Sequence, residues 1–192
     1  MSKGRKKKKG KKTGKHRMCG RGLSSGAQVS SVHQQIQNER ERMLSVLNFD
    51  EHLRERVEEM FNINFEGIPA GKEPMFFSTA ILEIDNAELA MRNIEKLADV
   101  DLAGEDKDGA HCVWTRAYPK GHWNPMSNMI GARQIIGNIR INFDNTLKLE
   151  TKTKSWMTGL IYYMMSVLGK DIKLINLEFQ NPLDMLRKNH GR

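Results

Sequence analysis

The sequence predicts an α+β fold: a small, mainly antiparallel sheet with helices from the N-terminal half packed on it. Three observations point there. Ile135, Ile139, Ile141 and Phe143 alternate with polar neighbours, and Leu147 and Leu149 resume the alternation after Asp144-Asn145, the period-two pattern of half-buried strands joined by a turn. Trp156, Leu160, Tyr163 and Val167 then recur at helical spacing before Gly169, a natural helix stop. The first half carries further helical patterns.

The hairpin register follows from its side chains. A three-residue turn over Phe143-Asp144-Asn145, with Asn145 in the left-handed conformation, pairs Ile141 with Leu147 and Ile139 with Leu149. A two-residue turn would set Leu147 against Asn142 and is rejected, because it would place an apolar side chain opposite a polar one.

In chain order, residues 1–27 lack periodicity, concentrate like charges and are rich in glycine, which predicts a disordered basic arm. A helix is expected from Gln28 or Ser30 to about Asn48, with Val29, Val32, Ile36, Met43 and Leu47 as its apolar face. A second follows with Leu53, Val57, Met60 and Phe61. Asn62 to Pro74 reads as a loop. Met75 to Ile84 is apolar enough to be buried and too short to assign. Asn86 caps a third helix with Ala90, Ile94 and Leu97 inward, and Gly104 to Gly109 reads as an acidic turn. His111 to Tyr118 is a strand, and Pro119 to Gly131 a loop. The hairpin, its helix and a strand through Ile172, Leu174, Leu177 and Phe179 follow, giving β-β-β-α-β order in the C-terminal half. Pro182 opens a short last helix. The division expected is an arm over 1–27, a helical region over 28–110, and an α+β region over 111–192 packed with it as one domain.

The charge is unevenly placed. The chain has 192 residues and a formal net charge of +8. Residues 1–22 hold 11 Lys+Arg and no Asp or Glu, while the remaining 170 hold the other 20 basic and all 23 acidic side chains, a balance of −3. No apolar run approaches the roughly 18 residues that span a bilayer, so no membrane partner is expected. Two cysteines, Cys19 and Cys112, do not make a disulfide framework, which suits a reducing, cytoplasmic location.

The candidate sites follow from this split. Lys6, Lys7, Lys8, Lys9, Lys11, Lys12, Lys15 and Arg17 provide a sequence-independent hold on phosphates through counterion release; with no aromatics among them, base stacking is not expected there. Arg140, Lys148 and Lys152 should project from the polar face of the hairpin, on the same side as Asn138, Asn142 and Glu150, and could extend that phosphate track, although such residues also form the ordinary wet face of an antiparallel sheet. Glu150-Thr151-Lys152 matches the Glu-x-Lys element of restriction-endonuclease-like nucleases, whose metal needs a second carboxylate nearby. Asp144 would lie roughly 15–20 Å away along the strand, too far to share an ion. His111 and Cys112, being strand neighbours, face opposite ways, and His16-Cys19 and His122 do not complete a four-ligand zinc set. No nucleophile elbow or phosphate-binding glycine loop is present. No catalytic residue, metal or cofactor is assigned. Met157, Met164 and Met165 make the predicted helix apolar nearly all round, which implies burial on both sides or a protein interface.

Ile136-Gly137-Asn138-Ile139-Arg140-Ile141, followed by Leu147-Lys148-Leu149-Glu150 and then Leu168-Gly169-Lys170, is similar to the glycine-strand, leucine-strand, helix, leucine-glycine succession of a group of bacterial proteins carrying a SEC-C zinc-binding motif. Gly10 to Gly20 resembles that motif with Cys19 as its single cysteine, so the zinc site is not carried over. The resemblance implies a bacterial or phage source and a cytoplasmic location, and no defined activity.

The expectation is a non-enzymatic accessory protein that binds nucleic acid nonspecifically through its arm, with a body that binds a protein partner or itself. The alternatives are a pure protein-interaction module with a solubilising or localising tail, and a metal-dependent nuclease.

Overall fold

A computed structural model describes residues 25–63, 73–118, 132–169 and 171–190. The elements are α1 (Ser25–Val46), β1 (Asn48–Phe49), a 3-10 turn (Glu51–Leu53), α2 (Arg54–Glu59), β2 (Phe77–Glu83), α3 (Ala87–Ile94), β3 (Val100–Asp106), β4 (Gly109–Ala117), β5 (Arg133–Asn142), β6 (Thr146–Thr151), α4 (Lys154–Leu168), β7 (Lys173–Gln180) and α5 (Pro182–His190). The fold is α+β. Helices and sheet share one core, into which Met43, Val57, Met60, Ala90 and Ile94 project from α1, α2, α3 and the residue after α2.

The sheet corrects the expectation of a small, mainly antiparallel one. It has seven strands in the order β1-β7-β2-β6-β5-β4-β3 and is mixed, because β1 lies parallel to β7. The strand order also differs from chain order. β2, the unassigned run after Met75, inserts between β6 and β7 and pairs antiparallel with both. β3 belongs to the sheet too, so the region expected to be helical contributes three strands. The presumed acidic turn shrinks to Lys107-Asp108, with Glu105 and Asp106 in β3 itself. The first helix stops at Val46, two residues before the expected Asn48, which instead begins β1.

Alternation decides which side chains enter the core. Ala80 and Leu82 of β2, Leu147 and Leu149 of β6, Ile139 and Ile141 of β5, Cys112 of β4 and Leu174 and Leu177 of β7 all face the helices and are buried. The hairpin has the expected register, Ile141 opposite Leu147 and Ile139 opposite Leu149, and Asn145 stands at φ 63°.

The register shifts by one residue in three pairings, β3–β4, β4–β5 and β2–β7, and the last two decide which side chains enter the core. Between Trp114-Gly137 and Thr115-Ile135 the β4–β5 register shifts by one residue. Ile136 is therefore buried and Ile135, expected inside, is 56% exposed. An extra residue on one strand rotates everything beyond it to the other face. Ile175 plays the same part in β7, which is why Leu174 and Leu177, three apart, are both core. Phe143, at the turn, is also exposed.

α4 presents Met157, Leu160, Ile161 and Met164 to the core. Of the expected stripe of Trp156, Leu160, Tyr163 and Val167, Leu160 is in the core, while the other three lie at the flank, half-buried. Helices on one side leave the other face of the sheet, bearing Thr79, Ile81, Lys148, Glu150, Asn138, Arg140 and His111, outside the apolar core.

Candidate nucleic-acid interface

The open face brings the hairpin cations together as the alternation of β5 and β6 requires. Arg140 and Lys148 sit opposite each other across the β5–β6 pairing. Neither presents a free charge. Arg140 Nη2 donates to both carboxylate oxygens of Asp106, each at 2.9 Å, and Nε donates to Asn142 Oδ1 at 2.9 Å. Asp106 also accepts the backbone N–H groups of Asp108 and Gly109. The Asp108 N–H foremost, then Arg140, hold its carboxyl below the usual range. Lys148 Nζ lies 2.7 Å from Glu150 Oε1, two residues on along the same face. Lys152 has no carboxylate partner among the described residues. Lys6 to Arg17 lie outside the described residues, as do His16, Cys19, His122 and the loop around Trp123.

Where β2, β5, β6 and β7 end together, the open face dips into a cleft of about 440 Å³. Phe77 and Ile135 border it, and Thr79, Asn138, Glu150, Lys152 and Gln180 supply polar groups. Lys152, Glu150 and Asn138 follow from the hairpin alternation in the sequence, while Phe77 and Gln180 do not. The missed signal was parity in the run after Met75: Ser78, Ala80 and Leu82 are small or apolar and buried, so Phe77 and Thr79 must face the other way.

Two polar clusters lie elsewhere, one half-buried around Asp99 and one around the buried Lys154. The Tyr163 hydroxyl donates to Asp99 Oδ1, and Trp114 Nε1 donates to Asp99 Oδ2 at 3.1 Å. Arg133 donates to the carbonyls of Ala98 and Thr115. Burial, and then the neighbouring Asp99, push the Tyr163 phenol up to about 12. Lys154 is 4% exposed. Its Nζ donates to the carbonyls of Glu59 and Asn62 at 3.0 and 3.3 Å, and lies 4.8 and 4.9 Å from the ring centroids of Phe76 and Phe179. These groups satisfy one another and tie elements together.

Among the described residues no group of three His, Cys, Asp or Glu side chains could hold a metal ion. Glu150, the acidic member of the Glu-x-Lys element, is instead paired with Lys148. His111 and Cys112 point to opposite faces, His111 half-buried and Cys112 in the core; burial, then the charges of Glu95 and Glu105, push the Cys112 thiol up. No described helix is long and apolar enough to cross a membrane.

Neither a scan of protein-family models nor searches of curated proteins and of solved structures found a match to the chain.

Proposed function

We propose that this chain is a non-enzymatic, nucleic-acid-associated accessory protein: its basic arm, from Lys6 to Arg17, engages phosphates without regard to sequence, and its folded body binds a protein partner or a second copy. The observation that carries the reading is the segregation of charge, with 11 cations and no anion in residues 1–22 against a balance of −3 in the rest. Clustered lysines displace condensed counterions from a polyanion, and each contact adds to affinity in a salt-dependent way. The pairing of Arg140 with Asp106 and of Lys148 with Glu150 supports it, because the body then offers little competing positive surface. Arg140 and Lys148 thus act as members of ion pairs in this reading, and Lys152 as the free cation of the described open face.

The test is fluorescence anisotropy with labelled duplex DNA and RNA, across a salt series, on the full chain and on a variant with the arm's Lys and Arg residues replaced by Gln. Binding should fall steeply with salt and be lost in the variant. Equal duplex affinity in both would end the proposal. Exposed Met75, Leu183 and Leu186 favour the second reading, a protein-interaction module with a solubilising tail; in that case captured partners survive nuclease treatment and neither chain binds duplex.

A further inference from the structure

The cleft at the end of the open face combines features the arm lacks. Phe77 is 41% exposed at its border, and Ile135, two strands away on β5, is exposed at the same cleft. Single exposed apolar side chains are common on protein surfaces and call for no explanation. Here, however, an aromatic ring and a branched aliphatic chain border one concavity with hydrogen-bonding groups between them. Asn138 and Gln180 bring amides that can donate and accept. Glu150 brings an acceptor whose charge is offset by Lys148 at 2.7 Å. Lys152, unpaired among the described residues, brings a cation at the same border.

We propose that this cleft seats one nucleotide of a single-stranded nucleic acid. The base stacks against Phe77, its polar edge reaches the carboxylate of Glu150 and the amide of Asn138, the Gln180 amide flanks the ring from the neighbouring strand, and the nucleotide's phosphate lies at Lys152. Unpaired bases can be splayed onto an aromatic ring and read along their edges, whereas bases inside a duplex cannot. Charge supports this occupant: among the cleft's lining residues the one unpaired charge is that of Lys152, with the exposed Glu178 next to Thr79 outside the lining, and the arm of the proposed function supplies a further phosphate hold on the same chain. A ring with amides and a cation also suits a nucleotide better than a purely apolar peptide. The inference rests on the proposed function and deepens it, adding a preference for single strands that the arm cannot provide.

The experiment uses the full chain. Anisotropy is measured with labelled single strands and with the matching duplexes, at salt high enough to weaken the arm's contribution. Phe77→Ala should lower single-strand affinity by roughly tenfold and leave duplex affinity unchanged. Phe77→Tyr, which keeps the ring, should retain single-strand binding. Lys152→Gln should reduce the salt slope for single strands by about one. In a separate measurement, nuclear magnetic resonance should show the side-chain amides of Asn138 and Gln180 shifting when a nucleoside monophosphate is added.

Unchanged single-strand affinity in Phe77→Ala would overturn the inference, and so would amide resonances that ignore the nucleotide or respond only to an unrelated extended peptide. These failures are separable from failure of the arm reading. The arm is read on duplex through its Gln variant, and the cleft on single strands and on the free nucleotide.

Discussion

Asn145 is the one non-glycine residue with positive φ among the described residues, and it is more than a turn residue. Its side-chain oxygen accepts the N–H of Ala87 at 3.0 Å and its carbonyl accepts the N–H of Ile84 at 2.9 Å. The hairpin tip therefore holds the start of α3. Asn145→Gly keeps the conformation and loses the side-chain acceptor, which should cost about 1 kcal/mol. Asn145→Ala loses the acceptor and adds left-handed strain of about 1–2 kcal/mol. Urea unfolding should rank wild type above Gly above Ala. Tyr163 supplies a second prediction. Its phenol titrates near 12 in the fold against about 10 when unfolded, so the folded state holds the proton more tightly. The stabilisation is complete below about pH 10 and is lost as pH rises towards 12. Tyr163→Phe should flatten that alkaline decline in thermal unfolding, and phenolate absorbance in the folded wild type should rise late.

At the scale of elements, α4 is fastened at its first turn. Thr153 accepts the N–H of Trp156 at 3.2 Å, relieving one of the unpaired donors at the helix start. The next residue, Lys154, reaches across to the carbonyls that close α2. Thr153→Ala should cost about 1 kcal/mol. Lys154→Met fills similar space but removes the donor from the Glu59 and Asn62 carbonyls and breaks the 3.4 Å pair with the Glu59 carboxylate, and should cost about 1–3 kcal/mol in the same unfolding experiment. The other end was readable in advance: Gly169, at φ 94°, ends the helix. The helix's orientation was not. With apolar residues nearly all round, period alone could not choose between the stripe through Trp156, Leu160, Tyr163 and Val167 and the one through Met157, Leu160, Ile161 and Met164, which share Leu160. Contact with β2, β5 and β6 decided it. Similarly, Ile135 and Ile136 are chemically equivalent, and only the bulge opposite Trp114 selects which is buried.

For the whole molecule, the distribution of charge links fold to proposed activity. Asp106 comes from β3 and Arg140 from β5, with β4 between them. Their pairing depends on three strands lying side by side. Asp106→Asn should leave the Arg140 guanidinium uncompensated. Under the proposed function, its duplex affinity should then rise and its salt slope steepen by about one, as read by anisotropy. No change would mean that Arg140 stays out of reach of phosphate. Of the candidate site, Lys152, Glu150 and Asn138 were readable from the alternation of β5 and β6. Phe77 and Gln180 were not, because they join the site only once β2 has inserted between β6 and β7.

The amino-acid sequence alone determined the hairpin register, the helix after it, the caps at Asn86 and Gly169, and the division of charge between the first 22 residues and the rest. Each depends on neighbours close along the chain, where periodicity and backbone preference act directly. The place of β2 in the sheet, the parallel pairing of β1 with β7, the bulges at Ile136 and Ile175, and the pairing of Arg140 with Asp106 were decided by tertiary structure. They arise between segments far apart in sequence, where several partners satisfy the same local pattern and packing of one shared core selects among them.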